Sequence, residues 1–404
     1  MTSEANEPPQ SGLPKGRPKH AKLARPDFGQ FGRNEFAFVG TDCSTIKRVC
    51  GQIIAQLSAK NWKIGYIDAA HPKGDCPEPL PGRLADGAAT EFSDNISHGQ
   101  FFLKNKPNPF QNRAFFNENN LIFINGNHFA GQKQVVFMDP KKEASLQKRL
   151  AQLTDVAAFM FPDGQTAPFE WLKTALPNWA EIPVFHHENR SGLVDFFEKM
   201  AQISVAPLSG LVLAGGKSER MGRDKGAIEW YDGEPQRDFL AKMLQKLLAD
   251  GTDSPEIFIA GRPGQFPAGG QFPVQPDSFT GLGPLGAILT AFREKPGAAW
   301  LVVACDLPLL DPATVDFLIK NRRPDCVATA FRNPANGMPE PLITIWEPMS
   351  YAVILSFLAQ GYSCPRKVLM NADCHLLDAP NPAALTNVNT PEEAAEVQKM
   401  GGFR

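Results

Sequence analysis

The stretch Gly210-Leu-Val-Leu-Ala-Gly-Gly-Lys-Ser-Glu-Arg-Met-Gly-Arg-Asp-Lys225 decides the fold of the second half of the chain. Gly210 to Ala214 is an apolar run of strand length. At Gly215 and Gly216 the backbone can turn sharply and approach a ligand with no Cβ in the way. Their amides can point at phosphate oxygens, as in other anion-binding nests. Lys217, Arg220, Arg223 and Lys225 follow, opposed only by Glu219 and Asp224. A structural turn needs no such cationic excess, whereas fixed cations stabilise a triphosphate and the pyrophosphate that leaves it. A glycine turn before a solvated basic segment is the plainer reading, and it would suffice for a lone G-G-x-S.

Outward from this loop the pattern alternates. Asp238 to Asp250 has helical period, Glu256 to Ala260 reads as a strand, Leu285 to Arg293 as a helix and Trp300 to Ala304 as a buried strand. Such alternation implies a doubly wound sheet that binds ligands at the carboxyl ends of its strands. Ala304-Cys-Asp306-Leu-Pro308 ends the last of these strands. A hard oxygen there suits Mg²⁺, which keeps several waters and takes one or two carboxylates, so Asp306 is the candidate metal ligand. Asp306 could instead cap a helix, but Asp311, directly before Pro312, is the better cap. Thr390 is placed to cap a helix whose first residue is Pro391, with Glu393 in the capping-box position.

The whole loop, Leu213 to Lys225, resembles the signature of the molybdenum cofactor guanylyltransferases, a branch of the nucleotidyltransferases with a Rossmann-like fold. The Gly-Gly pair with R-M-G-x-D-K is similar to the guanylyl branch more than to the cytidylyl or sugar branches. The resemblance spans about residues 208–399. It continues in order through Gln275-Pro-Asp277, Gly281-Leu-Gly-Pro-Leu-Gly286, Asp306, Gly337-Met-Pro-Glu-Pro-Leu342 and Asn387-Val-Asn389. It implies a nucleotide site at Leu213, Ala214, Gly215, Gly216, Lys225, Gly261, Asp277 and Asp306. Catalysis would fall to Arg220, Lys225 and Asp306, with Mg²⁺ on Asp306. Asn387, Asn389, Glu340 and Arg366 become candidates for the acceptor side, although Asn favours turns on its own account and exposed Arg-Lys pairs are common. The implied reaction is transfer of GMP from GTP to molybdopterin or molybdenum cofactor. Cytidylyl transfer, a sugar-phosphate nucleotidyltransferase and a non-catalytic, nucleotide-sensing module that binds a client molybdoenzyme stay open beside it.

The first half reads as a separate α/β unit, so the expected fold class is two doubly wound, Rossmann-like and P-loop-like three-layer domains. Residues 1–34 are expected to form a disordered tail, 35–204 the first domain and 205–404 the transferase. Phe36 to Val39, Lys63 to Asp68, Leu121 to Asn125, Val135 to Met138, Val156 to Met160 and Val184-Phe185 read as strands, and Ser44 to Ala59 as a helix. Gly40-Thr-Asp-Cys-Ser-Thr-Ile-Lys47 occupies the place of a phosphate-binding loop, G-x-x-x-x-G-K-[ST]. Thr45 stands where the second glycine belongs and Ile46 where the lysine belongs. Lys47 comes one residue late, turned about 100° away on a helix. The order of elements resembles the molybdopterin-guanine dinucleotide adaptor proteins. That resemblance implies a degenerate adaptor domain that binds a partner, the cofactor or the transferase half. His71 and His128 read as structural or exposed histidines before ligands.

Composition narrows the class. At 404 residues and roughly 100–200 residues per domain, two or three domains are expected. The net charge of -2 lacks the basic excess of a nucleic-acid binder. Seven scattered cysteines without a C-x-x-C pair argue against a disulfide framework or zinc site and point to a reducing, cytoplasmic setting. The opening MTSEANEPPQ has no apolar signal core, and no apolar run nears the roughly 20 residues that span a bilayer.

Overall fold

The computed structural model describes residues 22–70, 79–186, 190–215, 224–231, 233–249, 255–262, 264–266 and 270–399. The first half carries strands β1 (Glu35–Val39), β2 (Ile64–Ile67), β3 (Thr90–Asp94), β4 (Gly99–Leu103), β5 (Leu121–Asn125), β6 (Lys133–Phe137), β7 (Val156–Phe161) and β8 (Val184–His186). Its helices are α1 (Cys43–Ser58), α2 (Pro109–Phe115), α3 (Glu143–Gln147), α4 (Glu170–Ala175) and α5 (Arg190–Ile203). Six strands form a parallel sheet in the order β2-β5-β1-β6-β7-β8. Alternation along β1 sends Phe36 and Phe38 against Ile46, Ile53 and Phe197 of α1 and α5. Val39 goes to the other face, with Val136, Phe159 and Phe161. β3 and β4 pair only with each other, as an antiparallel hairpin.

The segment expected as a tail is described from residue 22 onward. Phe31 is buried, edge-on to Phe116 and Phe129. The Glu35 carboxylate accepts from the amides of Phe31 and Gly32. These contacts outweigh the polar composition that pointed to a loose chain here.

The second half carries β9 (Leu208–Leu213), β10 (Glu229–Tyr231), β11 (Glu234–Pro235), β12 (Ile257–Gly261), β13 (Val274–Pro276), β14 (Ala299–Ala304), β15 (Ala328–Arg332), β16 (Pro339–Trp346) and β17 (Cys374–Leu377). Its helices are α6 (Gln236–Leu248), α7 (Pro284–Glu294), α8 (Pro312–Lys320), α9 (Ser350–Ala359), α10 (Pro365–Asn371) and α11 (Pro391–Lys399). The sheet order is β13-β12-β9-β14-β16-β15-β17. β13, β12, β9 and β14 are parallel, whereas β16 runs against both its neighbours. One face buries Val212, Val303 and Ile343 with Leu240 and Leu244 of α6. The other buries Leu211, Trp300 and Trp346 with Ile288 and Phe292 of α7. The doubly wound class expected from the sequence is therefore present twice. The antiparallel β16 is an addition, and it ends the parallel run just beside β14.

The two sheets meet through polar contacts near their edge strands. Lys63, just before β2, pairs with Asp373, just before β17. The side-chain amides of Asn117 and Asn120 donate to the carbonyls of Met349 and Pro324, at 2.9 and 3.1 Å. The segment joining α5 to β9 is held to the second half, where Arg322 donates to the carbonyl of Ala206 at 2.8 Å and Pro207 accepts from Ala299 at 3.0 Å. Among the described residues no helix is long and apolar enough to cross a membrane.

Candidate active site

The crevice lies at the carboxyl ends of β9, β12, β13 and β14, where a parallel sheet offers its ligand side. Ala214 leaves β9 with its amide bonded to Ala260, and Gly215 follows. A Cβ on Gly215 would lie 3.1 Å from the Cα of Gly261, so two backbones pass each other here with no room for a side chain. Gly216, Lys217, Arg220 and Arg223 lie outside the described residues. The chain resumes at Asp224, whose carboxylate accepts from the amide of Gly226 at 2.9 Å and starts the turn Lys225–Ala227. Gln265 bridges the two ends of the loop. Its side-chain amide donates at 3.0 Å both to the carbonyl of Ala214 and to the carboxylate of Asp224. The sequence held no local sign of this, because Gln265 is far from both partners along the chain.

Lys225 joins three segments. Its Nζ donates to Oδ1 of Asn389 at 2.8 Å and lies 3.8 Å from Oδ2 of Asp306. Asp306 follows β14, tied by Cys305 N to Leu213 O (3.2 Å) and by Val388 N to its own carbonyl (2.8 Å). Burial raises the Asp306 carboxyl above its usual range; Lys225 opposes that rise and Glu340 adds to it. Asp306 caps no helix: Asp311 does so, accepting from Thr314 N at 2.7 Å ahead of Pro312. Thr390 and Glu393 form the capping box that the sequence called for, and that cap holds Asn389 in place beside Lys225.

Asp277 follows β13, its amide bonded to Gly261 O at 3.2 Å. Burial raises its carboxyl to about 6. Gly281 and Gly283 have positive φ, and a Cβ on Gly286 would meet the carbonyl of Phe279 at 2.2 Å. Glycine is thus required for the turn into α7 as well as for an open pocket floor. On the far side, Glu340 of β16 is wholly buried, its Oε2 3.5 Å from Arg366 and 3.3 Å from the amide of Asn333. Oxygens of Asp277, Asp306, Glu340 and Asn387 are buried without a hydrogen-bond partner among the described residues. Each such orphan typically costs about 1–3 kcal/mol, so the crevice is built to receive donors or a cation. No three of His, Cys, Asp and Glu form a metal cluster among the described residues.

The site thus brings together Leu213, Ala214, Gly215, Lys225, Gly261, Asp306 and Asn389 by direct contacts. Asp277 borders Gly261, Asn387 adjoins Val388, and Glu340 with Arg366 form the opposite wall. His128 belongs elsewhere, with Nε2 3.4 Å from Cys43 Sγ and 3.6 Å from Asp68 Oδ1 in the first half; His71 lies outside the described residues. At the loop after β1, Asp42 caps α1 with its own carboxylate, accepting from Thr45 N at 3.0 Å and Thr45 Oγ1 at 2.8 Å. Ile46 is buried in the core and Lys47 is exposed. The start of α1, where a phosphate-binding loop would hold an anion, already carries a fixed negative charge.

The second half has relatives among known proteins. Residues 210–374 match the family model of the MobA-like NTP transferase domain. The chain is 36% identical over 199 residues to the molybdenum cofactor biosynthesis bifunctional protein of Synechocystis, covering 49% of this chain but only 55% of that protein. It is 32% identical over 211 residues to the molybdenum cofactor guanylyltransferase of Pseudomonas paraeruginosa, covering 50% of this chain and 100% of the relative. A crystal structure of a MobB protein homologue from Bacillus stearothermophilus aligns with 42% of this chain and 99% of its own, at 15% identity and a TM-score of 0.30.

Proposed function

Since the chain belongs, through one half of its length, to the molybdenum cofactor guanylyltransferase family, we propose that it transfers GMP from GTP to the terminal phosphate of molybdopterin or molybdenum cofactor. The observation that carries this reading is the meeting of Lys225, Asp306 and Asn389 beside the glycine loop. The acceptor phosphate attacks the α-phosphorus in line, a P–O bond forms, and the bond to pyrophosphate breaks. The protein contributes positioning and electrostatics. Amides of the Leu213–Gly216 turn hold the triphosphate, and Lys225 and Arg220 neutralise it. Asp277, with its unpartnered oxygen, suits N–H donors of the nucleotide. The orphaned Oδ1 of Asp306 fits Mg²⁺. When bound, that ion draws charge from the phosphate oxygens. Asn389 keeps the Lys225 ammonium beside Asp306. Asn387 and Arg366 are the acceptor-side groups in this reading.

The first half acts as an adaptor domain docked on its own transferase, a reading that the Lys63–Asp373 pair and the Asn117 and Asn120 bonds support. A client molybdoenzyme is its further partner, in a reducing, cytoplasmic setting; neither nucleic acid nor membrane is involved.

Calorimetric titration of GTP, CTP and UTP with Mg²⁺ tests the proposal. GTP is expected to bind preferentially, and Asp306→Ala is expected to lose turnover while remaining folded. Preference for CTP would point to cytidylyl transfer, and preference for UTP to the sugar-phosphate enzymes. Binding without turnover in the wild type would point to a sensing module. Normal turnover by Asp306→Ala at saturating Mg²⁺ would refute the assignment of Asp306.

A further inference from the structure

β14 and β16 pair antiparallel, with Trp300 opposite Trp346 and Val303 opposite Ile343. The same register carried past the last paired residues sets Asp306 across from Glu340. Glu340 lies near enough that its charge acts on Asp306. Water reaches neither carboxylate freely: Glu340 is 0% exposed and the Asp306 side chain 17%. Each has one oxygen facing positive charge or a donor. Oδ2 of Asp306 faces Lys225 at 3.8 Å, and Oε2 of Glu340 faces Arg366 at 3.5 Å and Asn333 at 3.3 Å. The second oxygen of each, Oδ1 and Oε1, is buried with no partner among the described residues, as is the side-chain oxygen of Asn387. Asn387 is drawn to the same place because the next amide, Val388 N, donates to Asp306 O at 2.8 Å.

Two desolvated carboxylates abreast repel each other, and a cation between them offsets that repulsion. A shared proton would serve the two carboxylates and leave the Asn387 oxygen unmet. A small divalent cation takes carboxylate and amide oxygens together and keeps further positions for water or phosphate. Had Glu340 been a contact for the acceptor phosphate, its bare carboxylate would repel that phosphate.

We propose that Asp306 and Glu340 jointly hold the divalent cation, with the amide oxygen of Asn387 as a third ligand, so that the metal bridges the parallel and antiparallel parts of the sheet. This rests on the nucleotidyl-transfer reading of the crevice. It changes the part assigned to Glu340 and Asn387 from acceptor contacts to metal ligands.

Mn²⁺ is titrated into the full chain by electron paramagnetic resonance, with and without GTP, for the wild type, Asp306→Asn and Glu340→Gln. GTP binding without metal is measured in parallel by calorimetry. Glu340→Gln is expected to weaken Mn²⁺ at least tenfold, as Asp306→Asn does, while metal-free GTP binding is unchanged. Metal-free Glu340→Gln is also expected to melt above the wild type, because the carboxylate repulsion is gone, and to gain less from Mn²⁺. Wild-type Mn²⁺ affinity in Glu340→Gln, with loss only in Asp306→Asn, overturns the proposal and leaves Glu340 as a structural partner of Arg366. No preference for GTP in the wild type, with Mn²⁺ binding intact and dependent on Glu340, would remove the transfer reading and leave the metal site. Should Glu340→Gln not fold, Glu340→Asp keeps the charge one methylene short, and undiminished Mn²⁺ affinity there counts against direct ligation.

Discussion

Replacing Arg322 by methionine should destabilise the second half severely, and the structure says by how much. Arg322 grips Glu347 as a fork, with Nε to Oε1 at 2.6 Å and Nη2 to Oε2 at 2.8 Å. The two side chains are 13% and 1% exposed. Nη2 also donates to Ala206 O between the two halves. At an effective dielectric near 20, unit charges about 3 Å apart attract by roughly 5–6 kcal/mol, much of it offset by desolvation. The cost of breaking such a pair is mainly the stranded buried charge, about 3–5 kcal/mol. The bond to Ala206 adds about 1 kcal/mol. The expected loss for Arg322→Met is therefore about 4–6 kcal/mol, a large part of the 5–15 kcal/mol typical of a folded domain. Urea unfolding followed by circular dichroism, with Glu347→Gln and the double variant, completes a cycle. The double variant should recover at least about 2 kcal/mol of the loss, since no stranded charge remains, and acidification should partly rescue Arg322→Met alone. A loss below about 1 kcal/mol, or a double variant no better than Arg322→Met, would refute the argument that the stranded charge sets the cost.

Three other outcomes follow from the crevice. Asp277 has its carboxyl raised to about 6, so the folded chain binds a proton there more tightly than the unfolded chain. Stability should therefore fall as pH rises from about 4 to 6 and then level off. The shift of about two units equals roughly 3 kcal/mol; half-exposure reduces it to about 1 kcal/mol, the gain expected for nucleotide-free Asp277→Asn at pH 7 and absent at pH 4 by thermal melting. GTP affinity of the wild type should weaken as pH drops through about 6, as the carboxylate loses its capacity to accept N–H donors. Lys225→Met removes the cation shared by Asp306 and the triphosphate, and steady-state assays should show roughly 10²-fold lower kcat with the melting temperature little changed. Gln265→Leu cuts the bridge between Ala214 and Asp224, at about 1–2 kcal/mol, and should weaken GTP binding by roughly 5- to 30-fold in calorimetry; unaltered affinity would show that the loop keeps its shape without it.

What was legible in the sequence was local. The six strands of the first sheet and β9, β12 and β14 of the second were legible, chiefly as apolar runs whose two faces are covered, whereas β13, β15 and β17 were not. The capping box at Thr390 showed because its partners are three residues apart. β16 was missed because it begins Pro339-Glu-Pro, residues that ordinarily break a strand, although Leu342-Ile-Thr-Ile-Trp346 carries a strand signal. β3 and β4 were missed because Phe92, Ile96 and Phe101 are exposed, so no apolar face emerges from the pattern. The site was legible in its residue types at Lys225, Asp277 and Asp306. Its assembly was not. The Lys225–Asn389 bond, the Gln265 bridge and the facing of Asp306 and Glu340 depend on register and loop closure between distant segments.

The seam between the halves has a consequence for how the chain behaves in a crowded solution. β2 and β17 are each the last strand of their sheet, and the Lys63–Asp373 pair brings the beginnings of both to one place. A bare sheet edge is a template on which another chain can pair. Joined, the two halves set side chains against each other where those edges begin. Cut apart, each would present that edge to its own copies, so fusion into one polypeptide is also a safeguard against aggregation.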